Sequence, residues 1–202
     1  MNFLLVLVKY MGIAEKDTHV SVALFSDSAD NPYHHQIAFR DFTVFDDFLA
    51  EVSTIEYPSY CCDTASTRAL DRSLADMFQA SNGMRDNAPL TLIFLTDGQC
   101  NAGGCLDDEF KRLKRVFFGR SIKVIGIGVG LPDNHPGMDE IGLLTDHRRS
   151  TNDFAQLYSP DFALKLELCQ GSHTCVLYTS SSKILLFALG RYNALNIHSY
   201  FS

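Results

Sequence analysis

Leu92-Ile-Phe-Leu-Thr-Asp-Gly98 is a short apolar run that stops abruptly on an acid and a glycine. A run of this length, bounded by a turn signal, reads as a strand buried on both faces. In an open α/β sheet, ligands sit at the carboxyl ends of the strands. Asp97 therefore stands on the lip where a carboxylate can hold a hard cation or a polar ligand. Taken alone, Asp-Gly is simply a turn. Asp63-Thr-Ala-Ser-Thr-Arg-Ala-Leu70, a hydroxyl-rich turn that opens a helix, shifts the balance toward a site.

Working outward, strand and helix patterns alternate. His19 to Phe25 reads as a strand with Val20, Val22 and Leu24 on one face. Gln36 to Phe39 reads as a second, and Asn31-Pro32 marks an edge or hairpin entry. Val44 to Val52 and Thr67 to Gln79 carry apolar residues at helical spacing. Strand Leu90 to Thr96, helix Asp107 to Phe118, strand Ile122 to Val129 and helices Pro136 to Leu144 and Ser159 to Leu168 follow. This order predicts an α/β fold: a Rossmann-like, mostly parallel sheet with helices on both faces. The domain is expected over residues 1–170, with 171–202 an irregular tail outside the core.

The 202 residues suffice for one sizeable core, and 46% apolar with 20% charged residues is a globular composition. Acids outnumber bases 24 to 17, which disfavours nucleic acid and anionic membrane as partners. Met1 to Val8 lacks the basic flank and cleavage site of a signal peptide and is too short to span a membrane. Phe3, Val6, Leu7 and Tyr10 instead fit a buried helix face ending near Gly12. Ile184 to Leu189 is likewise too short to span.

The six cysteines are Cys61, Cys62, Cys100, Cys105, Cys169 and Cys175. An even count in loop-like positions favours disulfides and an oxidising, extracellular compartment. Their spacing lacks the paired C-x2-C of zinc sites. Gly126-x-Gly128-x-Gly130 is not a dinucleotide loop, since Leu131-Pro132-Asp133 follows it instead of a helix. Gly126 and Gly128 read as close-packing positions inside the strand. His34-His35 reads as a solvated loop, and no nucleophile–base pair indicates an enzyme.

In this order and spacing, four stretches resemble the von Willebrand factor type A domain family. They are Thr18 to Asp27 (THVSVALFSD), Thr64 to Leu70 (TASTRAL), Leu92 to Gly98, and Ile122 to Gly130 (IKVIGIGVG). The resemblance implies a non-enzymatic, extracellular adhesion module that binds matrix or cell-surface proteins through a metal-ion-dependent adhesion site; the alternatives are a metal-independent structural module on the same fold and, behind it, an α/β enzyme that shares the architecture. That site uses an Asp-x-Ser-x-Ser turn after the first strand, then a Thr, then the Asp of Thr-Asp-Gly. Thr64 and Asp97 match the last two, with Asp63, Gln99 and Cys100 expected on the rim. The chain begins inside what resembles the family's first helix, so the Asp-x-Ser-x-Ser turn is missing and Mg²⁺ affinity should be weak or lost.

The missing strand is the family's central one. Its backbone pairing, at about 1 kcal/mol per hydrogen bond, and its buried side chains, at ~1.5–3 kcal/mol each, rival a whole domain's ~5–15 kcal/mol. The chain is therefore expected to be a fragment or to fill the gap with another segment, and Ile184 to Leu189 is the spare apolar run. Cys61 and Cys62 precede Thr64, while Cys100 and Cys105 follow Asp97, so both pairs should rim one face. A bridge between the two loops, at ~2–4 kcal/mol of stabilisation, is one outcome and Cys100 to Cys105 is the other. The family's usual partner for a cysteine at the position of Cys169 is absent, leaving Cys169 to pair with Cys175 or to remain free.

Overall fold

The computed structural model describes residues 19–25, 33–55, 64–85, 88–158 and 183–188. Six strands form one sheet: β1 (His19–Phe25), β2 (Tyr33–Ile37), β3 (Leu90–Thr96), β4 (Ile122–Val129), β5 (His147–Thr151) and β6 (Lys183–Ala188). Their spatial order is β2-β1-β6-β3-β4-β5. Only β2 runs antiparallel, paired with β1 along one edge. The helices are α1 (Phe45–Thr54), α2 (Ser66–Arg72), α3 (Asp107–Gly119) and α4 (Pro136–Leu144).

The expected gap at the centre of the sheet is filled from the far end of the chain. Strand β6 pairs in parallel with β1 from His19↔Lys183 to Leu24↔Ala188, and with β3 from Leu90↔Lys183 to Phe94↔Phe187. Its sequence, Lys-Ile-Leu-Leu-Phe-Ala, is the near-continuous apolar run typical of a strand paired on both sides in a parallel sheet. Residues 183–188 thus depart from the expectation that 171–202 lies outside the core. The short run has no period of its own, so only the vacancy between β1 and β3 gives it a place.

Both faces of the sheet are buried. Leu92 and Phe94 join Phe110, Leu113, Phe117, Met138, Ile141 and Leu144 in one cluster beneath α3 and α4. Ile93 and Leu95, which alternate with them and so point the other way, are 0% and 2% exposed. Helix α4 lies unusually close to β4. A Cβ on Gly126 would stand 2.3 Å from Ile141 Cγ2, and one on Gly128 2.3 Å from Met138 Sδ. These glycines are close-packing positions, as their place inside a strand suggests.

Three elements differ from the sequence reading. Strand β2 covers Tyr33–Ile37 rather than Gln36 to Phe39, so His34-His35 is strand backbone, not loop. An edge strand in a hairpin tolerates such polar residues, and Ala38 N–H closes the strand onto Asp41 Oδ2 at 2.6 Å. Helix α2 gives way to a π-turn over Ser73–Met77 instead of running on as α-helix. Strand β5 has no apolar pattern (His-Arg-Arg-Ser-Thr) because it lies at the sheet's other edge. The expected helices near residues 3–12 and 159–168 lie outside the described residues. Among the described residues, no helix is long and apolar enough to cross a membrane.

Candidate functional site

The carboxyl end of β3 delivers Thr96, Asp97 and Gly98 to the sheet edge. The buried Thr96 hydroxyl donates to the Gly98 carbonyl at 3.0 Å and accepts the Gly98 N–H at 3.2 Å. This local pairing folds the turn back on itself and leaves Asp97 half-buried at the lip.

The loop entering α2 comes to the same place. Thr64 is 6% exposed. Its N–H donates to Asn101 Oδ1 at 2.6 Å. Its carbonyl accepts the N–H groups of Asn101 and Ala102 at 3.1 and 3.4 Å. A Cβ on Gly98 would stand 3.7 Å from Thr64 Oγ1, an ordinary contact distance. The two oxygen-bearing loops therefore meet at one edge of the sheet.

Helix α4 closes the other side. A Cβ on Gly137 would stand 3.0 Å from the Gly98 carbonyl oxygen, a tight contact, so the helix start lies close against the turn. His135 Nδ1 accepts the Gly137 N–H at 3.0 Å and caps that helix. One turn on, Glu140 accepts the Cys100 N–H at 2.8 Å. Burial pushes the Glu140 carboxyl above its ordinary range; donation from Cys100 and Gln99 works against this, and nearby Asp107 adds to it.

Cys100 and Cys105 are joined by a disulfide, across a sequence separation of 5. Cys100 is only 4% exposed, so it belongs to the core rather than to the rim where the sequence placed it. Because the two cysteines pair with each other, neither bridges to the loop before Thr64; the polar contacts to Thr64 join the loops instead. The enclosed Gly103 and Gly104 have φ of 79° and 88°, left-handed values that suit glycine. Thr67 Oγ1 lies 3.5 and 3.4 Å from their carbonyl oxygens. Beside this loop, a groove of about 710 Å³ is lined by Gln99, Cys105, Asp107, Asp139, Glu140 and Arg148, among others.

Thr64 and Asp97 are thus brought together, and Gln99 is exposed beside them at Glu140. Asp63, Cys61, Cys62, Cys169 and Cys175 lie outside the described residues. Sequence reasoning missed Asn101 and Glu140. Asn101 sits in a Gly/Ala loop, and Glu140 reads as a solvated helix acid; nothing local marks either as a partner of the turn.

The donor chemistry at the edge fits a hard divalent cation. A hydroxyl and a carboxylate are oxygen ligands, and such an ion keeps several waters and needs few protein donors. The donor count limits affinity. Among the described residues, no group of three or more His, Cys, Asp or Glu is arranged to hold a metal. The sequence after β6, Leu189-Gly-Arg-Tyr-Asn193, carries none of the Asp-x-Ser-x-Ser oxygens that follow the family's first strand.

Comparison with known proteins agrees with this architecture. Two structures of proximal thread matrix protein 1 from the mussel byssus superpose with TM-scores of 0.65 and 0.63, at 19% and 17% identity. A third structure of that protein, described with a zinc-occupied MIDAS motif, gives 0.64 at 19%. Each match covers 82% of this chain and about two-fifths of the other (40%, 38% and 41% respectively). At such identities the likeness establishes the fold alone. No match was found among curated proteins. The sequence pattern of the von Willebrand factor type A domain matches residues 1–162, most of the chain. Domains of this kind typically mediate protein interactions rather than catalysis. With its order of strands and its Thr-Asp-Gly edge, the chain belongs to the von Willebrand factor type A domain family.

Proposed function

We propose that this chain is an extracellular protein-binding module of the adhesion type. In this reading Thr64 and Asp97 hold a weakly bound, largely hydrated Mg²⁺-class cation whose open positions accept a carboxylate from a matrix or cell-surface partner. The observation that carries the reading is the convergence of the two loops, with Thr64 Oγ1 3.7 Å from where a Cβ on Gly98 would stand. The disulfide supports an oxidising compartment. The cation supplies the positive charge that attracts the partner acid. Thr64 and Asp97 orient it, and the Thr96 hydroxyl keeps the turn folded beneath it.

A metal-independent interaction module on the same fold is the second reading. It is favoured by the presence, among the described residues, of two family ligands at the edge. Calorimetric titration with Mg²⁺ separates the two. Binding in the millimolar range that is lost in Asp97→Ala is the expected result. Equal heats in wild type and variant would remove the site assignment. No heat in either, with partner capture persisting in chelator, would select the second reading.

A further inference from the structure

We propose that Cys105 is a thiol-exchange site, attacked from the acidic groove by a small thiol, and that the Cys100–Cys105 bond is a redox latch on the Thr64 loop. The loop closed by this bond is the clamp on Thr64. Asn101 and Ala102 donate their N–H groups to the Thr64 carbonyl, and Asn101 Oδ1 accepts its N–H. The Thr67 hydroxyl lies against the carbonyls of Gly103 and Gly104. Every one of these contacts is made by residues between the two cysteines. Two adjacent left-handed glycines make the segment unusually free once the crosslink is gone.

The two sulfurs differ in access. Cys100 is buried, whereas Cys105 is partly exposed and lines the groove. An incoming thiolate therefore attacks the Cys105 sulfur. The S–S bond breaks, a mixed disulfide forms on Cys105, and Cys100 leaves as a thiolate that takes a proton from solvent. A second thiolate then attacks the external sulfur of the mixed disulfide. Cys105 is released, and the reductant departs as its own disulfide, so one two-electron reduction is balanced by one two-electron oxidation.

The groove selects among thiols by charge. Asp107, Asp139, Glu140 and Asp146 line it against Arg148, with Asp146 held by Lys114 at 2.7 Å. Screened over roughly 9 Å, this excess of acid should separate a cationic thiol from an anionic one by about two- to fivefold in rate, a difference that shrinks with salt.

The latch is independent of whether a cation binds; only its consequence for partner capture rests on the function proposed above. The test is therefore metal-free. The full chain is treated with cysteamine, mercaptoethanol or glutathione, and rates are corrected to equal thiolate and for the rise of thiolate nucleophilicity with thiol pKa, measured on a small uncharged disulfide. Peptide mapping scores the Cys100–Cys105 bond, hydrogen exchange is read by mass spectrometry, and circular dichroism reports the fold. Cysteamine should react fastest and glutathione slowest, with the first adduct on Cys105. Exchange in segments containing 64–67 and 101–104 should then rise at least tenfold while the β3 and β4 segments stay protected. A first adduct on Cys100, unchanged exchange in the reduced chain, or exchange rising throughout the sheet would each overturn the proposal. The double variant Cys100→Ser/Cys105→Ser should show the same local rise without any thiol, and protection equal to wild type in that variant would also overturn it.

Discussion

Gly126→Ala tests how the site is positioned. The new Cβ would stand 2.3 Å from Ile141 Cγ2 and 3.2 Å from Thr145 Cγ2. Carbon atoms rest at ~3.5–4.0 Å, so helix α4 must withdraw by roughly 1.5 Å. The branch on Ile141 cannot rotate away cheaply, because a β-branched side chain has one strongly preferred helical rotamer. Overpacking of this kind costs about 1–3 kcal/mol. Replacing a strand glycine returns about 0.4–1 kcal/mol through the unfolded chain. A net loss near 1–2 kcal/mol corresponds to roughly 2–8 °C in melting temperature for a domain of this size. Gly128→Ala is the internal control. Its Cβ meets the Met138 sulfur at the same 2.3 Å, yet an unbranched thioether can move, so its loss should be smaller. Ile141→Leu removes the offending branch and should recover part of the Gly126→Ala loss in the double variant. Denaturant melts of wild type, the three single variants and the double variant are the assay. Gly126→Ala at wild-type stability, or no rescue by Ile141→Leu, would refute the close approach of α4 to β4.

Other outcomes follow from the same contacts. Asn101→Ala leaves the buried Thr64 N–H without its acceptor and should cost about 1–3 kcal/mol, whereas Asn101→Asp keeps an acceptor and should cost less; equal melts would contradict the clamp. Glu140 has its folded pKa raised above its unfolded value, chiefly by burial. The folded state therefore binds the extra proton, and stability is lost as pH rises through and beyond the ordinary Glu pKa of about 4.3. Glu140→Gln should gain on wild type in melting temperature between pH 4 and 7, and a pH-independent difference would rule this out. Leu186→Pro removes a ladder donor from a strand paired on both sides. It should cost about 3 kcal/mol or more, and an unchanged melt would place 183–188 outside the sheet.

The parts of the fold with a strong local signal were legible in sequence. Strands β1, β3 and β4 and helix α4 coincide with their apolar runs and turn signals. The junction of the Thr64 and Asp97 loops was legible too, because strand ends of a parallel sheet share one edge. What escaped has a nonlocal cause. Strand β5 is polar because it is an edge, and β6 is defined by a vacancy between β1 and β3. The pairing of Cys100 with Cys105 was one of two open alternatives, since the choice depends on loop geometry that spacing does not carry. Glu140 reaches Cys100 across 40 residues of sequence.

Paramagnetic broadening by Mn²⁺ tests the central claim most directly. Mn²⁺ is a hard divalent ion, and in an amide-resolved spectrum of the full chain it broadens whatever lies near it. The amides of Thr64, Asp97 and Gly98 should fade together at the lowest additions and persist in Asp97→Ala. Broadening of only one of the two loops, or broadening centred on Asp107 and Asp139 in the groove, would contradict a shared cation edge.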